Sequence, residues 1–353
     1  MTGRLPVGVV GAGRIGRVHA ENLAFRIPGA VPLAVADVDA AAAEACARAF
    51  GIPVAATDYR AVVEHAGVEA VLVCSPTDTH LAVIEGAAAA GKAIFCEKPI
   101  AATLRDIDRA LDAVERAGVP FMVGFNRRFD PSYRRLREAV ERGEVGEPHL
   151  LHLVSRDPSP PSAAYAARSG GMFFDMTIHD FDMARFLVGA EVEEVFAMAA
   201  VRVDPAIGDA GDVDTGVVML RFADGVIGAI DNSRRAVYGY DQRAEVFGSG
   251  GSATVGNVYP NTVTLRAARG VGRDLPLPFF AERYAESYRA ELAAFVDAVR
   301  GGAPVPVSGH DGRAAVVMSL AARRSHDEGR PVRLAEADAV PAVPPNSRGD
   351  ARP

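Results

Sequence analysis

Lysine is nearly absent from this chain: Lys92 and Lys98 are its only two, so 36 of the 38 basic residues are arginine. A surface served by arginine has no need of lysine as a generic charge. A retained ammonium therefore points to a role for a compact, titratable group that a permanently charged guanidinium does not fill. Lys92 follows Gly91 at a helix end, where a helix-terminal charge is the plain expectation. Cysteine is scarce as well. Cys46, Cys74 and Cys96 are odd in number and lack metal-ligand spacing, which argues against a disulfide framework and predicts free thiols in a reducing compartment. There is no excess of positive charge either. A net charge of −7 and a pI near 5.7 leave no basic footprint for nucleic acid or an anionic membrane surface. Finally, no apolar run is long enough to span a bilayer, and no charged-then-apolar leader opens the chain, so a cytoplasmic location is expected.

What is present is the make-up of a soluble globular protein, with 49% hydrophobic and 24% charged residues among 353. That is length enough for two domains, and a small-molecule partner is expected. Pro6 to Val10 reads as a buried strand, followed by Gly11-Ala-Gly13-Arg14-Ile15-Gly16 and a run with helical spacing. In a strand-loop-helix context each glycine has a use. The first makes the tight turn, the second admits a pyrophosphate, and the third lets the helix pack on the strand, with the phosphate at the helix N-terminus. The strand Val31 to Ala36 ends in Asp37, where a carboxylate would receive the two ribose hydroxyls and disfavour a 2′-phosphate, predicting NAD. The alternative is that Asp37 caps the helix Ala40 to Phe50.

Strands and helices then alternate to Gly124, which predicts a parallel, doubly wound sheet whose ligands lie beyond the carboxyl ends of its strands. Those ends carry Ser75-Pro76-Thr77 with His80, then Glu97-Lys98-Pro99, then Asn126. His80 falls in a first helical turn, where capping or packing is as good a reading as a ligand role. Beyond Gly124 the pattern changes to a helix at Pro131 to Arg142, a Pro/Ser-rich loop over Asp157 to Ser162, and then strands joined by tight turns. The strands run over 192–203, 213–222, 226–232, 243–247, 252–255 and 262–267 and predict an antiparallel sheet. The fold class is α/β, an N-terminal Rossmann domain plus a C-terminal α+β domain with a large, mostly antiparallel open sheet. The expected boundaries are 1–125, 126–335 and a disordered tail at 336–353. Ser308 with Asp311 three residues on resembles a capping box.

The chemistry concentrates in two places. Asp175 and His179 stand four residues apart, which on one helix would stack them one turn apart. A nicotinamide enzyme oxidising an alcohol needs a base for the hydroxyl proton and a cation for the developing alkoxide. His179 suits the first role, since imidazole titrates near neutrality, and Lys98 the second. Asp175 could orient His179 or favour its protonated form. Duller readings stand beside these: Lys98 paired with Glu97, His179 as a core histidine satisfied by Asp182, or Asp175, His179 and Asp182 holding a divalent ion. The last is disfavoured, because hard cations want more oxygens than one helix face presents, and no metal is expected.

Together Gly11-x-Gly13-x-x-Gly16, Cys96-Glu97-Lys98-Pro99 and Gly170-Gly171-x5-Thr177-Ile178-His179-Asp180 resemble the glucose-fructose oxidoreductase and myo-inositol dehydrogenase family, from about Pro6 to Leu334. The run Asp175 to Arg185 is most similar to its inositol dehydrogenases. The resemblance implies that Lys98, Asp175 and His179 are the catalytic trio, with His179 as proton acceptor. It places the nicotinamide near Ser75, Pro76 and Thr77, with Glu97 and Asn126 close by, and implies a polyol or sugar substrate and a homotetramer built through the large sheet. Asp157, Tyr240 and Tyr288 are candidate hydroxyl contacts, although aromatic residues in sheets and helices are more often packing. Ser155-Arg156-Asp157 departs from the histidine and asparagine that some inositol dehydrogenases carry there. The expected reaction is NAD-dependent oxidation of a cyclitol ring hydroxyl, myo-inositol first. Scyllo-inositol or an aldose is the alternative, and a non-catalytic nicotinamide-binding sensor is the reading of another class.

Overall fold

The computed structural model describes residues 3–339, which divide into two compact units. The first comprises residues up to Phe129 together with Glu286–Ala314, and the second Asp130–Ala285 together with the residues from Ala315.

In the first unit the chain alternates through β1 (Leu5–Val10), α1 (Arg14–Phe25), β2 (Ala30–Ala36), α2 (Ala40–Phe50), β3 (Val54–Ala56), α3 (Arg60–Val63), β4 (Ala70–Val73), α4 (Thr77–Ala89), β5 (Ala93–Glu97), α5 (Leu104–Ala117) and β6 (Phe121–Gly124). The six strands pair in parallel in the order β3-β2-β1-β4-β5-β6. Strands covered on both faces read as unbroken apolar runs, and β4 and β6 are buried at every residue. The order reverses between β1 and β4, so the crevice that such sheets offer a ligand opens where Gly11 leaves β1 and Ser75 follows β4. Helix α5 shows why these segments fold locally as they do. Thr103 accepts the Asp106 N–H at its start, and Gly118 ends it in the left-handed conformation that lacks a Cβ penalty.

The second unit begins with α6 (Pro131–Glu141), β7 (Pro148–Arg156), α7 (Ala163–Ala166), α8 (Met172–Asp175) and α9 (Thr177–Val188). Then come β8 (Val192–Ala200), α10 (Pro205–Asp209), β9 (Thr215–Phe222), β10 (Ile227–Ser233), β11 (Asp241–Gly248), β12 (Gly251–Val255), β13 (Thr264–Ala267), β14 (Gly270–Arg273) and α11 (Phe280–Arg283). The chain closes through α12 (Ala285–Gly301), α13 (Gly309–Glu328), β15 (Val332–Arg333) and α14 (Leu334–Asp338). Seven strands form one sheet in the order β12-β11-β7-β10-β9-β8-β15. All its pairs are antiparallel except β7 with β10. Burial alternates along β9, as it must in a sheet covered on one face.

Two expectations need correction, and one strand was not anticipated. The strand over 262–267 does not join the large sheet, because β13 pairs only with β14 in a separate hairpin. The short strand β3 carries no pattern long enough to predict. Residues 336–338 of the expected tail lie in helix α14, and the remainder, 340–353, lies outside the described residues. The capping box at Ser308 is present: the Asp311 carboxylate accepts the Ser308 N–H at 2.9 Å, and Ser308 Oγ accepts the Asp311 N–H.

Candidate active site

In the first unit the glycine loop has the geometry of a dinucleotide cradle. Gly11 has φ +99°, and a Cβ there would lie 2.5 Å from the Cys74 carbonyl carbon; one on Gly16 would lie 1.9 Å from the Gly11 oxygen. Gly13, between them, is exposed with nothing within 4 Å, which leaves open space where a phosphate would approach. Helix α1 is capped by Gly13, which offers no capping side chain, and has no acidic residue in its first turn, so its positive end is left to an anion. Arg14 is exposed and Ile15 half-buried beside it.

Asp37 ties this loop together, Oδ2 accepting the Ala12 N–H at 2.7 Å and Oδ1 the Asp39 N–H at 2.9 Å. The cap of α2 is Asp39, whose carboxylate accepts the Ala41 and Ala42 N–H groups, so the capping alternative for Asp37 falls. A carboxylate has about four acceptor sites, so Asp37 retains capacity for ribose hydroxyls beside the loop it braces.

The ends of β4, β5 and β6 supply the rest. Ser75 Oγ and Thr79 Oγ1 lie 2.6 Å apart beside the exposed Pro76 and half-buried Thr77. His80 is almost wholly buried, with Nδ1 2.9 Å from the Pro99 carbonyl and Nε2 2.8 Å from the Ser75 carbonyl, so its ring spans two strand ends. Burial pushes its pKa below the ordinary value, against the opposing pull of these carbonyls. Lys98 is half-buried at the end of β5, and its bond to Pro99 is cis. Asn126 is buried in the 3-10 turn after β6, and its Nδ2 has no hydrogen-bond partner among the described residues. A buried amide donor without an acceptor is costly, and a bound group at the strand ends would supply one. The open Gly13 position and this orphaned donor both fit a bound dinucleotide. Lys92 has a use the sequence did not show: its buried ammonium donates to the His65 and Val68 carbonyls at 2.9 and 2.6 Å, bracing the turn that enters β4.

In the second unit the segment around His179 is two helices rather than one. Helix α8 ends at Asp175, Met176 sits at φ −102° and ψ −59°, and α9 starts at Thr177, with the His179 N–H turning back to the Met176 carbonyl. Asp175 and His179 therefore flank a junction, which corrects the expectation of one continuous helical face. Both side chains are half-buried.

Asp175 is held from two sides. Tyr165 donates its hydroxyl to Oδ1 at 2.9 Å, and Arg234 Nη1 lies 3.3 Å from Oδ2. Arg234 is almost completely buried, with Asp212 3.5 Å from its Nη2. Asp212 also accepts the Met172 N–H at 2.9 Å, fixing the start of α8. Gly171 makes this approach possible: at φ +86°, a Cβ there would meet Asp212 at 2.6 Å and Arg323 at 2.5 Å.

A buried polar network docks α9 on the sheet. Thr177 Oγ1 donates to Asn232 Oδ1 at 2.6 Å, Asn232 Nδ2 donates to Asp180 Oδ2 at 2.8 Å, and Ser155 Oγ donates to Asp180 Oδ1. Such networks fix one arrangement because each unmade bond would leave a buried polar group unsatisfied. Arg156 is engaged by Asp231 at 3.0 Å and by the Tyr238 hydroxyl at 2.9 Å. Half-buried Asp157 bonds through its backbone to Ser233 and Ala236. Tyr240 packs edge-on to Tyr284, with ring centroids 6.1 Å apart. Tyr288 belongs to the first unit, where its ring stands edge-on to His19.

A doubly wound sheet with this loop, and an acidic residue after its second strand, is the fingerprint of a dinucleotide-binding domain, the kind that nicotinamide-dependent oxidoreductases carry. Residues 5–125 match the model of the oxidoreductase family with NAD-binding Rossmann fold, and residues 133–254 that of the GFO/IDH/MocA C-terminal domain. The chain belongs to the GFO/IDH/MocA family. It is 50% identical to the myo-inositol 2-dehydrogenase of Thermotoga maritima over 94% of this chain and 98% of that protein. It is 38% identical to the NAD(+) scyllo-inositol 2-dehydrogenase of Bacillus subtilis, over 92% and 95% respectively. Its structure is similar to that of a myo-inositol dehydrogenase from Corynebacterium glutamicum, with a TM-score of 0.90 at 38% identity, over 94% and 99% of the chains. Among the described residues no helix is long and apolar enough to cross a membrane.

Proposed function

We propose that this protein oxidises a ring hydroxyl of a cyclitol with NAD, and that its substrate is myo-inositol, giving the 2-ketone scyllo-inosose. The observation that carries this reading is similarity along nearly the whole chain to a myo-inositol 2-dehydrogenase, joined to the presence of Lys98, Asp175 and His179. Bound NAD would supply the carbon that accepts the hydride, held by Gly11, Gly13, Arg14, Ile15 and Gly16 at its diphosphate and by Asp37 at its ribose. Ser75, Pro76, Thr77, Glu97 and Asn126 would lie at its nicotinamide end, with His80 setting the strand ends there. His179 takes the hydroxyl proton as general base, the role for which imidazole is the side chain best suited by its chemistry. Lys98 stabilises the negative charge that develops on the substrate oxygen. Asp175, fixed by Tyr165 and Arg234, presents its carboxylate one junction away from His179. Asn126, Asp157, Tyr240 and Tyr288 are assigned as further hydroxyl contacts, the tyrosines through their hydroxyls, because both rings are packed.

The same reading makes the protein a cytoplasmic homotetramer. Cys46, Cys74 and Cys96 are free and buried, as in a reducing compartment. On the uncovered face of the large sheet, Leu150 pairs in register with Ile227 on one side and Phe247 on the other, and Met198 with Val217, all five exposed. Exposed apolar pairs of this kind on a sheet face are what subunit association covers. The test is growth of reduced-nicotinamide absorbance with NAD and a panel of inositols and aldoses, with light scattering for the assembly. Turnover of myo-inositol is expected. Preference for scyllo-inositol or an aldose would move the substrate, and NAD binding without turnover would favour the sensor.

A further inference from the structure

The first unit contains a buried polar cluster in which His19 and Glu291, neither used by the proposed chemistry, gather about Glu97. His19, on the helix that opens at the glycine loop, is fully buried, and its Nε2–H donates to Glu97 Oε1 at 2.7 Å. Glu97 is the last residue of β5 and the residue before Lys98. Opposite it on β6 stands Gly124, where a Cβ would come within 3.1 Å of Glu97 Oε2, so the glycine keeps room for the carboxylate. Phe95 and Tyr288 stand edge-on to the imidazole at 5.2 and 5.9 Å, fixing its plane. Fully buried Glu291 of α12 completes the cluster, with ligand-type atoms of all three residues within 4.8 Å of one another.

A metal ion is a poor account of this group. Tetrahedral ligands at about 2.1 Å from an ion lie roughly 3.4 Å apart, whereas the His19 to Glu97 separation is that of a hydrogen bond. Simple packing is also a poor account, because a buried imidazole-carboxylate pair is generally no more stable than an apolar pair of the same shape. What the pair adds is position. It ties the helix of the glycine loop to the strand end that carries Lys98.

We propose that His19 is a positioning residue that, through Glu97, sets the place and accessibility of the Lys98 ammonium; the catalytic importance of this rests on the function proposed above. The test exploits the scarcity of lysine. An amine-reactive reagent followed by mass spectrometry reads Lys98 individually, with Lys92, whose ammonium is buried and bonded, as an internal reference. His19→Leu should change the Lys98 labelling rate about tenfold and leave Lys92 unchanged. His19→Gln, which keeps a side-chain N–H, should stay near the wild type. With a substrate in hand, His19→Leu should lower kcat by about 10- to 100-fold, as misplacement of a reacting group does, with KM little changed. An unchanged Lys98 rate, equal effects of Leu and Gln, or a stoichiometric divalent ion in the purified protein would each overturn the proposal. The labelling needs no substrate, so failure of the cyclitol reading leaves this result independent.

Discussion

Buried Arg234 forms an ion pair with half-buried Asp175, Nη1 to Oδ2 at 3.3 Å, between residues 59 apart in the chain. Removing one member of such a pair leaves the other charge uncompensated, at a cost of about 3 kcal/mol or more. Arg234→Met should therefore lower the unfolding free energy by about that amount and also lower turnover, because Asp175 and Asp212 lose their common cation. Urea denaturation and initial rates measure the two effects. Unchanged stability would remove Arg234 from this role.

Lys98→Met should keep NADH binding and lose turnover. The ammonium is assigned to the substrate oxygen, and an uncharged side chain of similar length cannot stabilise a developing alkoxide there. Titration of NADH fluorescence and the initial rate separate binding from chemistry. An active variant would take Lys98 out of the site.

Asp37→Ser should narrow the preference for NAD over NADP, because the carboxylate that would repel a 2′-phosphate is gone. The ratio of kcat/KM for the two cofactors reads this. Since Asp39 already caps α2, the helix should be undisturbed. An unchanged ratio would leave Asp37 as a brace for the Ala12 N–H alone.

His80 carries a pH prediction. Its pKa lies below the ordinary 6.5, mainly through burial. Between that lowered value and 6.5 the unfolded chain binds a proton that the native state refuses. The stability it contributes is therefore full above about 6.5 and is lost as the pH falls through the native value. Unfolding free energies from about pH 8 to pH 5 should fall more steeply for the wild type than for His80→Gln. Equal slopes would contradict the assignment.

How much of this was legible in the sequence depended on range. The glycine loop and Asp37 could be read because their spacing is local and each residue has a steric or electrostatic use within about 25 positions. The alternation of β9 was legible for the same reason. The parallel pairing of β7 with β10 was not, since it joins strands some 75 residues apart that look like any others. The break at Met176 was hidden because nothing at that position, neither glycine nor proline, announces it. Tyr165, Arg234 and Asp212, which hold Asp175 and the start of α8, are ordinary surface residue types in sequence and become partners only through tertiary packing. His19 gave no signal beyond falling on the buried side of α1. Its partner Glu97 was visible only as the neighbour of a rare lysine.

The central claim is that a hydride leaves a ring carbinol carbon of a cyclitol for NAD. Incubating the protein with NAD and myo-inositol deuterated at the carbon that becomes the ketone measures this directly, by mass spectrometry of the reduced nicotinamide. Deuterium in the product, together with its loss in His179→Ala, is the predicted result. Protein that binds NADH yet transfers no deuterium from any cyclitol would contradict the account.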